Sequence, residues 1–251
     1  MKLTLALASI VFVAAPAFAS TITASGTNSL WNVNSPGCNS ASPTNCVIGN
    51  PSIFGIESAT LTVDNSGDVS ADILMNFGNG STNYGGSNLT PFTVSGIPGV
   101  TFSATDMIIT EGAAQYALIL YGHNGLTTGG LYSITGTQTA QTVLGNPSGT
   151  YRNNLPVWAS ASGAVKLGNG TVTVTDLGNG TTAPEYNVSI TGITGGTALF
   201  TNGNQLAFEV ASATCGNGVV YGTVPEPGTM ALMGSALVGL ALLRRKRKDG
   251  K

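Results

Sequence analysis

Charge is what this sequence lacks most. Only 8% of its 251 residues are Asp, Glu, Lys or Arg, and those few are unevenly placed. Between Ser20 and Glu226 the cations are Arg152 and Lys166 alone. Ten of the eleven carboxylates lie in the same stretch, so it carries −8 while the whole chain shows −2. Such a domain repels nucleic acid and anionic membrane surfaces, which excludes both as its partners. Histidine is almost absent, with His123 the single example. Cysteine is limited to Cys38, Cys46 and Cys215, and these spacings fit no common zinc pattern. No Gly-x-Ser-x-Gly elbow is present to raise a nucleophilic serine. Between residues 20 and 224 no stretch repeats with the 3.6-residue period of an amphipathic helix. No catalytic residue, metal or cofactor is expected, and the chain reads as a non-enzyme.

The two ends carry what the middle lacks. At the N-terminus Lys2 precedes an apolar run from Leu3 to Ala15, which Pro16 breaks. Ala17-Phe18-Ala19 then places small residues where a signal peptidase reads them. Residues 1–19 are expected to be a secretory signal peptide, cut between Ala19 and Ser20. Export permits disulfides. Cys38 and Cys46 would close a small loop in an Asn/Pro-rich stretch, which favours that pair and leaves Cys215 unpaired. Cys215 bonded to either of them, tying the chain ends together, is the alternative.

Residues 20–223 alternate short β-type runs with turn signals. Thr60–Val63 and Val69–Met75 flank Asp64-Asn-Ser-Gly-Asp68, a hairpin pattern. Phe92–Val94 with Val100–Phe102, and Met107–Thr110 with Tyr116–Tyr121, read the same way. Leu131–Thr135 and Gln138–Leu144 follow as strands, and Asn146–Pro156 reads as a loop. Leu-Gly-Asn-Gly-Thr occurs at 167–171 and again at 177–181. Asn-Gly accepts the positive φ of tight primed turns, so 164–192 is expected to form a three-stranded meander. Ala198–Thr201 with Leu206–Val210 gives a last hairpin, and Val219–Tyr221 closes the sheet. The fold expected is all-β, an antiparallel β-sandwich or jelly roll.

The C-terminal segment, 224–251, has three parts. Val224-Pro225-Glu226-Pro227 is rigid and extended, because each proline fixes φ and removes a donor. Gly228–Leu243 is uncharged and rich in helix formers. Its sixteen residues reach roughly 24 Å as a helix, short of the ~30 Å hydrocarbon core. Arg244, Arg245, Lys246, Arg247 and Lys248 end it with a cationic block that snorkels and holds the cytoplasmic side. This order of parts resembles the PEP-CTERM protein-sorting signal. The resemblance implies recognition by an exosortase-type membrane protease that cuts near the Pro-Glu-Pro, after a stage in which 228–243 spans the inner membrane. It also implies delivery to the cell surface or beyond, often alongside exopolysaccharide. On that reading the mature protein is a surface or extracellular-matrix protein, with polysaccharide as a partner. A carbohydrate-binding, lectin-like module and a secreted hydrolase are the alternatives.

Other candidate residues have simple readings. His123, in Tyr121-Gly-His-Asn-Gly125, reads as an exposed turn residue. Asp64, Asp68 and Asp72 read as turn formers, since they lack the spacing of a calcium loop. Trp31, Trp158, Tyr84, Tyr132 and Tyr151 read as packing residues and not sugar platforms. Thr171, Thr173 and Thr175 line one strand face, as Thr21 and Thr23, and Thr60 and Thr62, do more briefly. Ranks of this kind are found on ice-binding β-faces, but here they read as ordinary solvent-facing positions not repeated on successive strands.

Overall fold

The computed structural model describes residues 20–25, 54–64, 66–77, 89, 91–93, 101–145, 155–177, 186–194, 205–214, 216 and 218–223. Among these residues fifteen strands and one short helix follow in order. The strands are β1 (Ser20–Ser25), β2 (Ile56–Val63), β3 (Val69–Met75), β4 (Phe92–Thr93), β5 (Thr101–Phe102), β6 (Met107–Glu111), β7 (Ala114–Leu118), β8 (Gly130–Ile134) and β9 (Thr137–Thr139). After helix α1 (Ala140–Leu144) come β10 (Pro156–Ala159), β11 (Val165–Asn169), β12 (Thr171–Asp176), β13 (Tyr186–Ile193), β14 (Leu206–Ala211) and β15 (Val219–Thr223). All pairings are antiparallel. A five-stranded sheet has the order β1-β2-β3-β13-β12, and a six-stranded sheet the order β11-β8-β7-β6-β14-β15. The all-β, sandwich-like expectation holds.

Alternation decides which face of each strand enters the core. On β3, Val69, Ala71, Ile73 and Met75 are buried, while Ser70, Asp72 and Leu74 point outward. On β13, Val188 and Ile190 are fully buried between Asn187 and Ser189. These side chains meet Met107, Ile109, Leu118 and Phe208 of the other sheet in one apolar cluster. Each such burial contributes roughly 1.5–3 kcal/mol relative to exposure. Phe54 joins this cluster, stacks on Phe77 and meets Phe102 edge-on.

The β2–β3, β4–β5 and β6–β7 hairpins form where expected. Three expectations are corrected. Gln138–Leu144 is not one strand: Thr139 caps α1, its Oγ1 accepting from Thr142 N, and Gly145 ends the helix at φ 76°. Pro156, read as the end of a loop, opens strand β10, which pairs with β9. Of the three-stranded meander expected over 164–192, only the second pair of strands forms. β11 pairs with β8 in the six-stranded sheet, and β12 pairs with β13 in the five-stranded one. Gly168-Asn169-Gly170 is therefore a crossing between sheets and not a tight turn, and neither glycine has positive φ. These glycines serve close approach instead. A Cβ at Gly168 would run into the carbonyl oxygen of Thr194, and one at Gly170 into that of Thr191. The echo's second copy, at 178–180, lies outside the described residues. Of the expected last hairpin, Leu206–Val210 is strand and pairs with β6 and β15, while Ala198–Thr201 lies outside the described residues.

Gly168 gives a sharp prediction. Gly168→Ala should cost about 3 kcal/mol, because the obstacle is the backbone of Thr194, next to Ile193, which is paired with Val69 of β3. Gly136→Ala, where a Cβ meets nothing within 4 Å, should change stability by less than about 0.5 kcal/mol. Chemical denaturation of the two variants checks this.

Candidate functional site

The densest chemistry sits on the outer face of the six-stranded sheet. There a second apolar cluster gathers Ile108, Ala117, Tyr132 and Ile134 from the sheet with Ile119, Leu126 and Ala159 from the chain crossing above. Asp106, just ahead of β6, fastens β10 over it. Its N–H donates to Val157 O at 2.9 Å, and its Oδ2 accepts from Ala159 N at 2.7 Å. The same oxygen contacts His123 Nε2 at 2.8 Å. The His123 ring lies flat on the Trp158 indole, centroids 4.2 Å apart and planes 7° apart. Trp158 Nε1 donates to Ala104 O at 3.1 Å.

Local sequence explains how His123 reaches this place. Asn124 and Gly125 both take positive φ, 49° and 86°. That is the primed two-residue turn which Asn-Gly favours, and it closes with hydrogen bonds between His123 and Leu126 in both directions. The turn is the one foreseen, but its histidine is not exposed: His123 is 8% accessible. Nothing in its sequence neighbours marks this, because the partners come from residues 106 and 158. Tyr132 and Trp158 do act as packing residues.

Asp106 is wholly buried, and burial pushes its carboxyl above the ordinary range, opposed by His123 and the Ala159 N–H. A histidine held by a carboxylate is two-thirds of a nucleophilic triad. The third part would meet the other ring nitrogen, Nδ1, which is buried and has no hydrogen-bond partner. With one ring face under Trp158, the arrangement acts as a clasp joining three chain segments.

The other foreseen residues do not converge on it. Asp64 Oδ1 accepts from Ser66 N (2.8 Å), Ser66 Oγ (2.8 Å) and Asp68 N (2.9 Å), a self-contained turn. The Asp68 N–H is the leading cause that lowers the Asp64 pKa, followed by the Ser66 hydroxyl. Asp72 stands apart on the outer face of the five-stranded sheet, opposite Thr60 and Ser189. Among the described residues no three of His, Cys, Asp and Glu group as metal ligands. Ser20 opens β1. Ala17, Ala19, Cys38, Cys46, Cys215, Trp31, Tyr84, Tyr151 and everything from Val224 onward lie outside the described residues. Among the described residues no helix is long and apolar enough to cross a membrane.

Register overturns one reading. The hydroxyl ranks are continued on neighbouring strands. Thr23, Thr60, Asp72, Ser189 and Thr173 form a single row across all five strands of their sheet. Thr23 and Thr60 hydroxyls lie 3.2 Å apart, and Thr21 and Thr62 hydroxyls 3.3 Å apart. Strand spacing makes this a polar lattice of about 4.8 Å across the strands and ~6.7 Å along them.

Glu209 is a second group that sequence reasoning passed over. It sits on β14 between Ile108 and Tyr221, with Oε1 buried and without a hydrogen-bond partner. Burial raises its pKa from 4.5 to about 7. The folded state thus holds this proton more tightly than the unfolded chain. The stability this gives is full below about 4.5 and lost as pH rises through about 7. Glu209→Gln should therefore raise Tm at pH 8 by about 3 °C, for ~1 kcal/mol after allowance for partial exposure, and leave it unchanged at pH 4. Thermal melts across pH check it.

The described residues define a β domain built around two antiparallel sheets, with a polar outer row on one and a buried His–Asp clasp on the other. Its tail gives the more particular identification. Residues 223–248 match the PEP-CTERM protein-sorting motif, which implies recognition by an exosortase-type system and export to the cell surface. No curated protein and no solved structure matches the chain.

Proposed function

We propose that the mature protein is a non-catalytic component of the cell surface or extracellular matrix, held among exopolysaccharide after the tail is removed. The observation that carries this reading is the five-stranded sheet's outer face. Its central row is hydroxyl-bearing except for Asp72. Hydroxyls donate and accept, so they match a neutral polyhydroxylated polymer, and the domain's net negative charge disfavours an anionic one. The His123–Asp106 pair supports a structural role, since its ring is stacked under Trp158.

The test is co-sedimentation of the mature protein with neutral and with anionic polysaccharide. Retention on the neutral polymer, weakened when Thr60→Lys and Thr173→Lys are introduced together, supports the reading. Equal retention of the variant, or turnover of the polymer, refutes it. Affinity for ice in the same protein would assign the lattice to ordered water instead.

A further inference from the structure

We infer that the corner formed by β1 and β15 is a docking surface for the membrane-embedded sorting protease, used in addition to the tail. This rests on the reading that such a protease removes the tail.

Three observations lead there. The first is where the fold ends. Thr223, the last residue of β15, is still laddered opposite Ala207, and the sorting motif begins at that same residue. No spacer separates domain from signal. The second is length. Four residues, Val224 to Pro227, join the last paired residue to the apolar span starting at Gly228. Even fully extended, four residues cover at most ~14 Å. One helix with its side chains is already about 10–12 Å across. An enzyme that seats Pro225-Glu226-Pro227 beside the bilayer therefore meets the folded domain.

The third observation is what the enzyme meets. Among the described strands β15 lies at the edge of its sheet, next to β14. It packs on the chain's first described strand: a Cβ on Gly222 would lie 2.8 Å from Ile22 Cγ2. Tyr221 points outward from this strand, 55% exposed and two residues before the motif. Of the three exposed large hydrophobic side chains among the described residues, it is the one at this corner. The others, Val165 and Leu177, belong to β11 and to the end of β12. Tyrosine is enriched at protein interfaces because it buries a large rigid ring while keeping a polar tip. A neutral aromatic beside the scissile region suits a protein surface. Because Gly222 and Thr223 are held in the ladder, a cut that leaves the sheet whole falls beyond Thr223.

The test follows release of the full-length chain in cells that sort it. Tyr221→Ser should slow release about fivefold, while the Tm of the released protein stays within ~3 °C of the parent. In a chain with about ten Gly/Ser residues inserted between Thr223 and Val224, the same substitution should have no effect, because the enzyme then reaches its motif without touching the corner. Release of Tyr221→Ser at the native rate, equal slowing in the spaced chain, or faster release of the spaced chain than the native one would each overturn the inference. Loss of binding by Tyr221→Ser to phosphatidylglycerol vesicles without protease would assign the corner to the bilayer instead. Recovery of the native chain with Lys251 intact would refute the tail-processing reading itself; native release with an indifferent Tyr221 refutes only the docking surface.

Discussion

Asp106→Ala should unfold the domain more readily than any other single side-chain truncation at this site, by about 3–5 kcal/mol. The substitution leaves His123 Nε2 without its 2.8 Å partner and Ala159 N without its 2.7 Å acceptor, both in a buried place. Burying unsatisfied polar groups costs the full desolvation of each, and the partner group cannot reach water without lifting β10. The loss is a large share of the roughly 5–15 kcal/mol that holds a typical domain. Asp106→Asn keeps one oxygen in the place where Oδ2 meets both groups and should cost less than half as much. Urea midpoints measure the difference. Trp158 fluorescence supplies a second readout, because freeing the indole from the His123 ring exposes it to water. A change in stability below about 1 kcal/mol in Asp106→Ala would mean that the clasp does not hold the sheet's outer face.

The second large effect concerns location. Replacing Pro225, Glu226 and Pro227 together with Ala should leave most of the protein cell-associated with Lys251 still attached, and lower the released fraction at least about tenfold. The fold should not change, since the last strand ends at Thr223, before any altered residue. Mass spectrometry of the C-terminus, with Tm of the same material, separates a sorting defect from a folding one. Normal release of the triple variant would show that the tail is not what the export machinery reads.

Much of this was legible along the chain because it depends on local chemistry. The hairpin at Asp64–Asp68 follows from a carboxylate that accepts from the N–H groups two and four residues on, and alternation of Val, Ala, Ile and Met on β3 follows from the two-residue period of a strand. The sorting motif is likewise linear, since a protease reads an extended segment. The Leu-Gly-Asn-Gly echo misled for a related reason. Its glycines suit a primed turn by composition, yet Gly168 and Gly170 are needed for a close crossing against Thr194 and Thr191, 26 and 21 residues further on. Gln138–Leu144 misled because a single helical turn with a Thr cap carries too little periodicity to stand out.

The sequence by itself determined the all-β class, most strand positions and the sorting motif of the tail, each set by neighbours within a few residues. Tertiary structure alone decided which strands share a sheet, that His123 is buried against Asp106 and Trp158, and that hydroxyls from five strands line up in one row. The physical reason is the same in each case. Pairing and burial depend on residues 17 to more than 100 positions apart, as in His123 with Asp106 or Thr105 with Ala211, and no local pattern encodes such distances. The close fit between the end of β15 and the start of the sorting motif belongs to both, since the sequence places the motif and only the fold shows that nothing separates it from the sheet.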